Sequence, residues 1–191
     1  MFTGIVQAVG EIVRAQPFEI DCGKLEMADV RIGDSICVQG VCLTVTSRTA
    51  RGFAADVSPA TLAVTAGLDR AGPVNLEKSV AVGEQLGGHL VAGHVDGVGE
   101  VTRFERGVLE VRTPPELARY IARKGSICID GVSLTVNRVQ GGLFEVYLIP
   151  HTLEVTTLGR LRAGARVNLE ADLIARYVAR LLEASGSIGP D

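Results

Sequence analysis

The chain has 191 residues, of which 47% are hydrophobic and 23 are glycines, and its formal net charge is −3. This length fits one or two domains, and the acidic balance argues against a general nucleic-acid-binding protein, which normally carries a basic surface. No apolar run reaches about 18 residues and no export signal precedes the first strand pattern, so we expect a cytoplasmic protein with no membrane contact and with free thiols.

The first part of the chain has the pattern of short β-strands. Runs of Val, Ile, Leu and Thr alternate with turn residues at intervals of roughly 8–12 positions, a spacing typical of small barrels and sandwiches. The stretch SICVQGVCLTVTSRT at 35–49 predicts a hairpin with a glycine-containing turn, and a weak helical signal lies at 24–33. Because a closed barrel leaves no free sheet edge, we favour a barrel over a sandwich.

The same pattern returns about 90 residues later. The second block of the repeat reads CVQGVCLTV in one copy and CIDGVSLTV in the other, with six of nine positions identical and Ser133 in place of Cys42. Four blocks recur in the same order, at 4–12 and 93–101, 37–45 and 128–136, 53–65 and 144–156, and 74–77 and 167–170. The chain is therefore two tandem copies of one unit, followed by a tail.

Two segments outside the strand pattern predict helices. The stretch PPELARYIARKG at 114–125 has prolines suited to a helix start and a glycine suited to its end. The tail, at 170–186, has no counterpart in the first copy and carries an apolar stripe at helical spacing, formed by Leu173, Ile174, Tyr177, Val178, Leu181 and Leu182. Two small barrels are already self-contained, so we favour packing of this stripe against other subunits over packing on its own barrel.

Six motifs together resemble the riboflavin synthase family and cover essentially the whole chain. They read MFTGIV (1–6), QGVCLTV (39–45), GGHLVAGHVDG (87–97), IDGVSLTV (129–136), LIPHTLEVTTLG (148–159) and ARVNLEAD (165–172). The resemblance implies an all-β fold of two tandem six-stranded antiparallel Greek-key barrels with a C-terminal α-helix. It also implies lumazine-binding barrels at 1–87 and 88–170 and an oligomerisation helix with a tail at 171–191.

The resemblance also implies the reaction. Members of this family transfer a four-carbon unit between two molecules of 6,7-dimethyl-8-ribityllumazine, giving riboflavin and 5-amino-6-ribitylaminouracil, without cofactor or metal. They act as homotrimers whose active sites lie between the N-terminal barrel of one subunit and the C-terminal barrel of the next, and lumazine synthase is a further implied partner. Two identical reactants need two similar pockets, and holding both together is worth up to about 7–11 kcal/mol.

Position by position, the resemblance implies two parallel sets of substrate contacts. The first-barrel set is Gly4, Ile5, Val6, Cys42, Leu43, Thr44, Asp56, Val57, Ser58, Pro59, Ala60 and Thr61, with Phe2 as the aromatic residue expected nearest a pocket. The second-barrel set is Gly93, His94, Val95, Lys124, Ser133, Leu134, Thr135, Tyr147, Leu148, Ile149, Pro150, His151 and Thr152. The family usually has a glutamate where this chain has Ala60, which weakens the assignment of detailed contacts there.

The transfer requires a base for the C7 methyl proton, a nucleophile at C7 of the partner molecule and proton donors for the leaving nitrogens. The candidate catalytic residues are His94, Ser133, Thr135, Asp130 and Asp172 in the second unit and Cys42 and Ser35 in the first. His94 is the candidate whose ordinary pKa lies near neutrality, and the Cys42 thiolate competes with water or hydroxyl as the nucleophile. The sequence does not rank these groups.

Several candidates also have purely structural explanations. A strand cysteine is commonly a small buried hydrophobe, and Asp172 suits the N-cap of the tail helix as well as a catalytic role. The spacing of His89 and His94 does not suit a metal pair, so we expect no metal site and a structural His89. The alternative function is a non-catalytic lumazine- or flavin-binding protein; a flavin-reductase barrel would require a nicotinamide-binding Rossmann unit after it.

Overall fold

The computed structural model describes residues 1–186 and contains two closed barrels of six antiparallel strands each. The first barrel is built from β1 (Ala8–Ala15), β2 (Phe18–Asp21), β3 (Ser35–Val38), β4 (Val41–Arg48), β5 (Gly52–Ala55) and β6 (Gly72–Lys78). The second is built from β7 (Gly97–Glu105), β8 (Val108–Arg112), β9 (Ser126–Ile129), β10 (Val132–Gln140), β11 (Leu143–Tyr147) and β12 (Arg166–Ala171). The end of the predicted tail, 187–191, lies outside the described residues.

Both barrels have the same strand order. Neighbouring strands run β1-β2-β5-β4-β3-β6 in the first barrel and β7-β8-β11-β10-β9-β12 in the second, and the last strand of each pairs with the first. In each barrel, three strands joined by short connections are followed by a fourth that returns beside the first of them, which is the Greek-key arrangement. The predicted all-β class, the two barrels and the tandem duplication are confirmed.

The period of two along each strand divides the side chains between a barrel core and an outer face. In β4, Val41, Leu43 and Val45 are buried in the core, whereas Cys42 and Thr44 point outward. The strand β10 repeats this alternation with a second core of its own. Because each interior is filled by aliphatic and aromatic side chains, a ligand has to bind on an outer face.

In each barrel one short helix follows the fifth strand, and neither of these two helices was predicted. They are α1 (Pro59–Val64) and α3 (Pro150–Val155), and each begins with the proline of a repeated block. Ser58 caps the first of them, because its Oγ accepts the N–H of Thr61 at 3.0 Å. A 3₁₀ turn at Thr157–Arg160 follows the second.

The helix predicted at 114–125 is much shorter, and the one signalled at 24–33 does not form. Only α2 (Pro115–Ala118) is helical. It is followed by turns in which Tyr120 donates to the Leu117 carbonyl and Ile121 to the Ala118 carbonyl. Residues 24–33 form separate turns. Short turns are sufficient here because each connection has only to bury a few side chains before the third strand of its barrel begins.

The tail helix α4 (Leu173–Ala184) forms as predicted, and Asp172 caps it by accepting the Ile174 N–H at 3.0 Å. Its polar side is attached to the second barrel through ion pairs of Arg176 with Asp96 and of Glu183 with Arg119. The apolar stripe faces away from this contact, with exposures of 62% for Ile174, 65% for Tyr177 and 70% for Leu181. The stripe therefore does not pack on its own barrel. No helix within residues 1–186 has the length and apolar character needed to span a membrane.

The two barrels meet across an approximate twofold axis. Phe2 and Val91 form an isolated antiparallel bridge at this axis, and both pack against Cys37 and Cys128. Phe2 is completely buried there, so its ring is not exposed to a ligand, and its expected place nearest a pocket stays a prediction. Its burial between the barrels fixes the start of the chain.

The repeated VNLE block joins the barrels through its asparagine. The Asn75 side chain donates to the Asp130 carbonyl at 2.8 Å and accepts the Thr157 N–H at 2.8 Å. Its counterpart Asn168 accepts the Ala66 N–H at 2.7 Å with its side chain. Each asparagine thus belongs to one barrel and satisfies backbone groups of the other.

Candidate functional site

Two equivalent outer faces carry the polar residues singled out by the sequence. On β4 these are Cys42 and Thr44, and Ser35 lies directly opposite Thr44 in the register of β3 and β4. On β10 they are Ser133 and Thr135. Side chains directly opposite in an antiparallel pair share a face, so Ser35 joins the β4 set. The neighbouring leucines, Leu43 and Leu134, point into the barrel cores and offer a ligand only their backbone groups.

The segment that precedes each barrel lies against the other barrel. Gly93 accepts the Cys42 N–H at 2.8 Å through its carbonyl, and Gly4 accepts the Ser133 N–H at 2.8 Å. The following valines behave in the same way, since Val95 packs on the first core and Val6 on the second. The predicted grouping of contacts was therefore wrong. Gly4, Ile5 and Val6 belong with Ser133, whereas Gly93, His94 and Val95 belong with Cys42.

Both contacts require glycine. Gly4 has φ +74° and Gly93 has φ +78°, in the left-handed region that other residues rarely adopt. A Cβ on Gly4 would lie 2.6 Å from the Cβ of Ser133, and one on Gly93 would lie 2.7 Å from the Cβ of Cys42. The backbone can approach each ligand face this closely only because neither residue has a side chain.

The loops before α1 and α3 border the two faces. On the first side, residues 56, 58, 59 and 60 are exposed, while Val57 and Thr61 are half-buried. On the second side, Tyr147 and Ile149 are each 52% exposed, Pro150 and His151 are exposed, and Thr152 is half-buried. Leu148 is buried in the second core, so its predicted contact with substrate cannot involve its side chain.

Lys124 introduces a difference between the barrels. It adopts φ +68° and donates its N–H to the Val136 carbonyl at 2.7 Å. The equivalent bond in the first barrel runs from Gly33, at φ +96°, to Val45. A lysine is strained in this conformation, where glycine is not. The second barrel therefore carries an exposed ammonium group at a position where the first has no side chain.

Ser133 has an imidazole partner that sequence reasoning missed. Nδ1 of His89 lies 2.7 Å from the Ser133 Oγ, and burial lowers the pKa of this imidazole. Its Nε2 is buried without a hydrogen-bond partner among the described residues. The expectation that His89 is only structural is therefore incomplete. His94 is exposed beside Gly93, on the Cys42 side.

Asp130 lies in the interface between the barrels. It occupies the turn between β9 and β10, is 3% exposed, and its Oδ1 accepts the Asn168 N–H at 2.8 Å. Burial raises its pKa to about 7. Gln39 is the equivalent residue of the first barrel, and its Oε1 accepts the Asn75 N–H in the same way. This placement supports a structural role for Asp130 and not the predicted catalytic one.

The four cysteines are free and differ in accessibility. Cys22, Cys37 and Cys128 are buried, and burial raises the pKa of each thiol, in Cys22 to about 11. Cys42 is the partly exposed one. Thiolate chemistry requires both access and deprotonation, so Cys42 is the cysteine placed to contact a ligand. No group of three or more potential metal-ligating side chains occurs within residues 1–186.

Comparisons with known proteins agree with this architecture. The model of the lumazine binding domain matches twice, at residues 3–79 and 92–172. The riboflavin synthase of Photobacterium phosphoreum is 44% identical over 95% of this chain and 89% of that protein. The riboflavin synthase of Mycobacterium tuberculosis is 45% identical over 97% of this chain and 100% of that protein. The crystal structure of LumP complexed with 6,7-dimethyl-8-(1'-D-ribityl) lumazine superimposes with a TM-score of 0.76 at 26% identity, covering 90% of this chain and 99% of LumP.

Proposed function

This chain belongs to the riboflavin synthase family, and we propose that its reaction takes place where the β4 face of one chain meets the β10 face of another. The chain is a transferase: it passes a four-carbon unit between two molecules of 6,7-dimethyl-8-ribityllumazine and releases riboflavin and 5-amino-6-ribitylaminouracil. In the proposed arrangement each face holds one of the two reactants.

The bridge between the barrels supports a site shared by two chains. Phe2 and Val91 pair antiparallel, and each ligand face begins two residues beyond the bridge, at Gly4 in one direction and at Gly93 in the other. Because the bridge is antiparallel, the two segments leave it in opposite directions, so the two glycines lie on opposite sides of it. Reacting atoms must approach to about 3–3.5 Å. The placement of the two faces on opposite sides of the bridge supports a partner face supplied by a second chain.

The exposed stripe of α4 supports the same proposal. A helix attached to its barrel by polar contacts, with its apolar side in solvent, favours burial of that side in an oligomer. We propose a homotrimer, in which each chain gives one face to each of its neighbours. Association with lumazine synthase and a cytoplasmic location stay predictions.

The two faces differ in the groups that could move protons. Ser133 on β10 is hydrogen-bonded to the imidazole of His89, and burial of this imidazole favours its neutral form. The equivalent position on β4 is Cys42, next to the exposed His94. We assign the Ser133 and His89 pair to proton transfer on the lumazine bound at β10, because burial favours the neutral imidazole, in which one ring nitrogen has a lone pair that can accept a proton. This asymmetry lets one lumazine donate and the other accept the four-carbon unit.

The experiment is incubation of the purified protein with 6,7-dimethyl-8-ribityllumazine alone, followed by the rise of riboflavin fluorescence. We expect turnover without added metal or cofactor, and gel filtration with light scattering should give a trimer. A protein that is a monomer in solution and still forms riboflavin would contradict the shared site. A protein that binds the coloured ligand tightly and produces no riboflavin would support the binding-protein alternative.

A further inference from the structure

Two buried glutamates occupy equivalent places at the ends of β6 and β12, as the last residue of each VNLE block. Glu77 is 3% exposed and Glu170 is 4% exposed. Burial raises the pKa of both carboxyl groups, and hydrogen bonds from backbone N–H groups oppose that rise. A buried carboxylate is costly unless hydrogen bonds compensate it, so its donors indicate what each glutamate holds.

All donors to each carboxylate come from the segment that precedes its own barrel. Glu77 Oε1 accepts the N–H and the hydroxyl of Thr3, both at 2.7 Å, and Oε2 accepts the Gly4 N–H at 3.0 Å. Glu170 accepts three backbone N–H groups, from Ala92 at 2.6 Å, Gly93 at 2.9 Å and His94 at 3.0 Å. Hydrogen bonds to an ionised acceptor are roughly twice as strong as neutral ones.

The segment held by each glutamate serves the opposite barrel. The Gly4 carbonyl pairs with Ser133 of the second barrel, and the Gly93 carbonyl pairs with Cys42 of the first. Glu77 therefore binds the N–H of Gly4, and the carbonyl of the same residue borders the β10 face. Glu170 does the same for the β4 face. In each case, hydrogen bonds link a glutamate of one barrel to the face of the other barrel.

We propose that Glu77 and Glu170 are positioning residues acting crosswise: Glu77 orients the lumazine site on β10, and Glu170 orients the lumazine site on β4. This inference rests on the proposed use of these two faces for substrate. Each carboxylate uses both oxygens as acceptors. A glutamine has one acceptor and one N–H₂ group, which would face a backbone N–H and leave it unpaired. Glutamine keeps the volume of glutamate, so the substitution alters the hydrogen bonds with little change in packing.

The experiment is an NMR titration of the full chain with ¹³C-labelled riboflavin, the product, which is not consumed while 5-amino-6-ribitylaminouracil is absent. The bound signal that Ser133→Ala weakens is assigned to the β10 site, and the other bound signal is assigned to the β4 site. We expect Glu77→Gln to weaken binding about tenfold or more at the site assigned through Ser133, with less than a twofold change at the other, as fits loss of hydrogen bonds to a charged group. Glu170→Gln should give the reverse pattern, so each variant is the control for the other.

Weakening of the site on the same barrel, or equal weakening of both sites, would overturn the inference. If Glu77→Gln does not fold, Thr3→Val replaces it. This change removes the hydroxyl that donates to Glu77 at 2.7 Å and accepts the Ile5 N–H at 3.3 Å, and Thr3→Ser, which keeps the hydroxyl, is its control. Thr3→Val should again weaken the Ser133 site selectively, and no selectivity would count against the proposal. A wild-type chain that makes no riboflavin would refute the proposed function instead, since the titration does not depend on turnover.

Discussion

The substitution Gly4→Ala tests the close approach of the first segment to the β10 face. Alanine at φ +74° costs about 1–2 kcal/mol in backbone strain. Its Cβ would also lie 2.6 Å from the Cβ and 2.7 Å from the backbone nitrogen of Ser133. Forcing extra volume into a packed contact adds about 1–3 kcal/mol. We therefore expect Gly4→Ala to lower the free energy of unfolding by about 2–5 kcal/mol.

The same substitution should impair the reaction. Ordinary contact of a Cβ begins at 3.4 Å, so the segment or Ser133 must move by about 0.8 Å. A misplacement of about 1 Å can lower a rate by about 10²-fold. We expect kcat/KM to fall by that order, with the larger effect on binding at the site assigned through Ser133.

The measurements are urea unfolding at fixed protein concentration, since the stability of an oligomer depends on concentration, and steady-state riboflavin formation. The matched control is Gly164→Ala. Gly164 has φ +85° with no atom within 4 Å of an added Cβ, so its loss of stability should be limited to the strain of about 1–2 kcal/mol. If Gly4→Ala costs no more than Gly164→Ala and leaves turnover unchanged, the argument from close approach is refuted.

Three further predictions concern charge, chemistry and assembly. Burial raises the pKa of Asp130 to about 7, so the folded chain keeps a proton that the unfolded chain releases near pH 4. The free energy of unfolding should therefore fall by roughly 1.4 kcal/mol per pH unit between about pH 5 and 7. In urea titrations at several pH values, Asp130→Asn should reduce this pH dependence. If Asp130→Asn leaves the pH dependence of the free energy of unfolding unchanged, the raised pKa of Asp130 is refuted. Cys42→Ser should lower kcat far more than it weakens lumazine binding, and equal losses would mean that Cys42 only packs. Leu181→Glu should dissociate the oligomer in sedimentation velocity and abolish turnover, whereas Arg180→Glu, off the stripe, should do neither; a Leu181→Glu trimer would contradict the role of the stripe.

The strand pattern, the duplication and the tail helix could all be predicted from the sequence, because each is a local property of consecutive residues. Alternation along β4 identifies Cys42 and Thr44 as outward-facing without reference to any other element. The stripe of α4 follows from spacing alone, and its exposure agrees with the expectation that it does not pack on its own barrel. Motifs spread over the whole chain also indicated the family correctly.

The assignment of residues to the two sites could be decided only by the tertiary structure. The sequence places Gly4 in the same copy as Cys42, and Gly93 in the same copy as Ser133. The strand β5 pairs with β4 only from Val45 onward, so the N–H of Cys42 is left for the Gly93 carbonyl, which arrives from the other unit. The proximity of His89 to Ser133 and the burial of Asp130 between barrels arise in the same way. They depend on how two similar units face each other across an approximate twofold axis, which no pattern within either unit encodes.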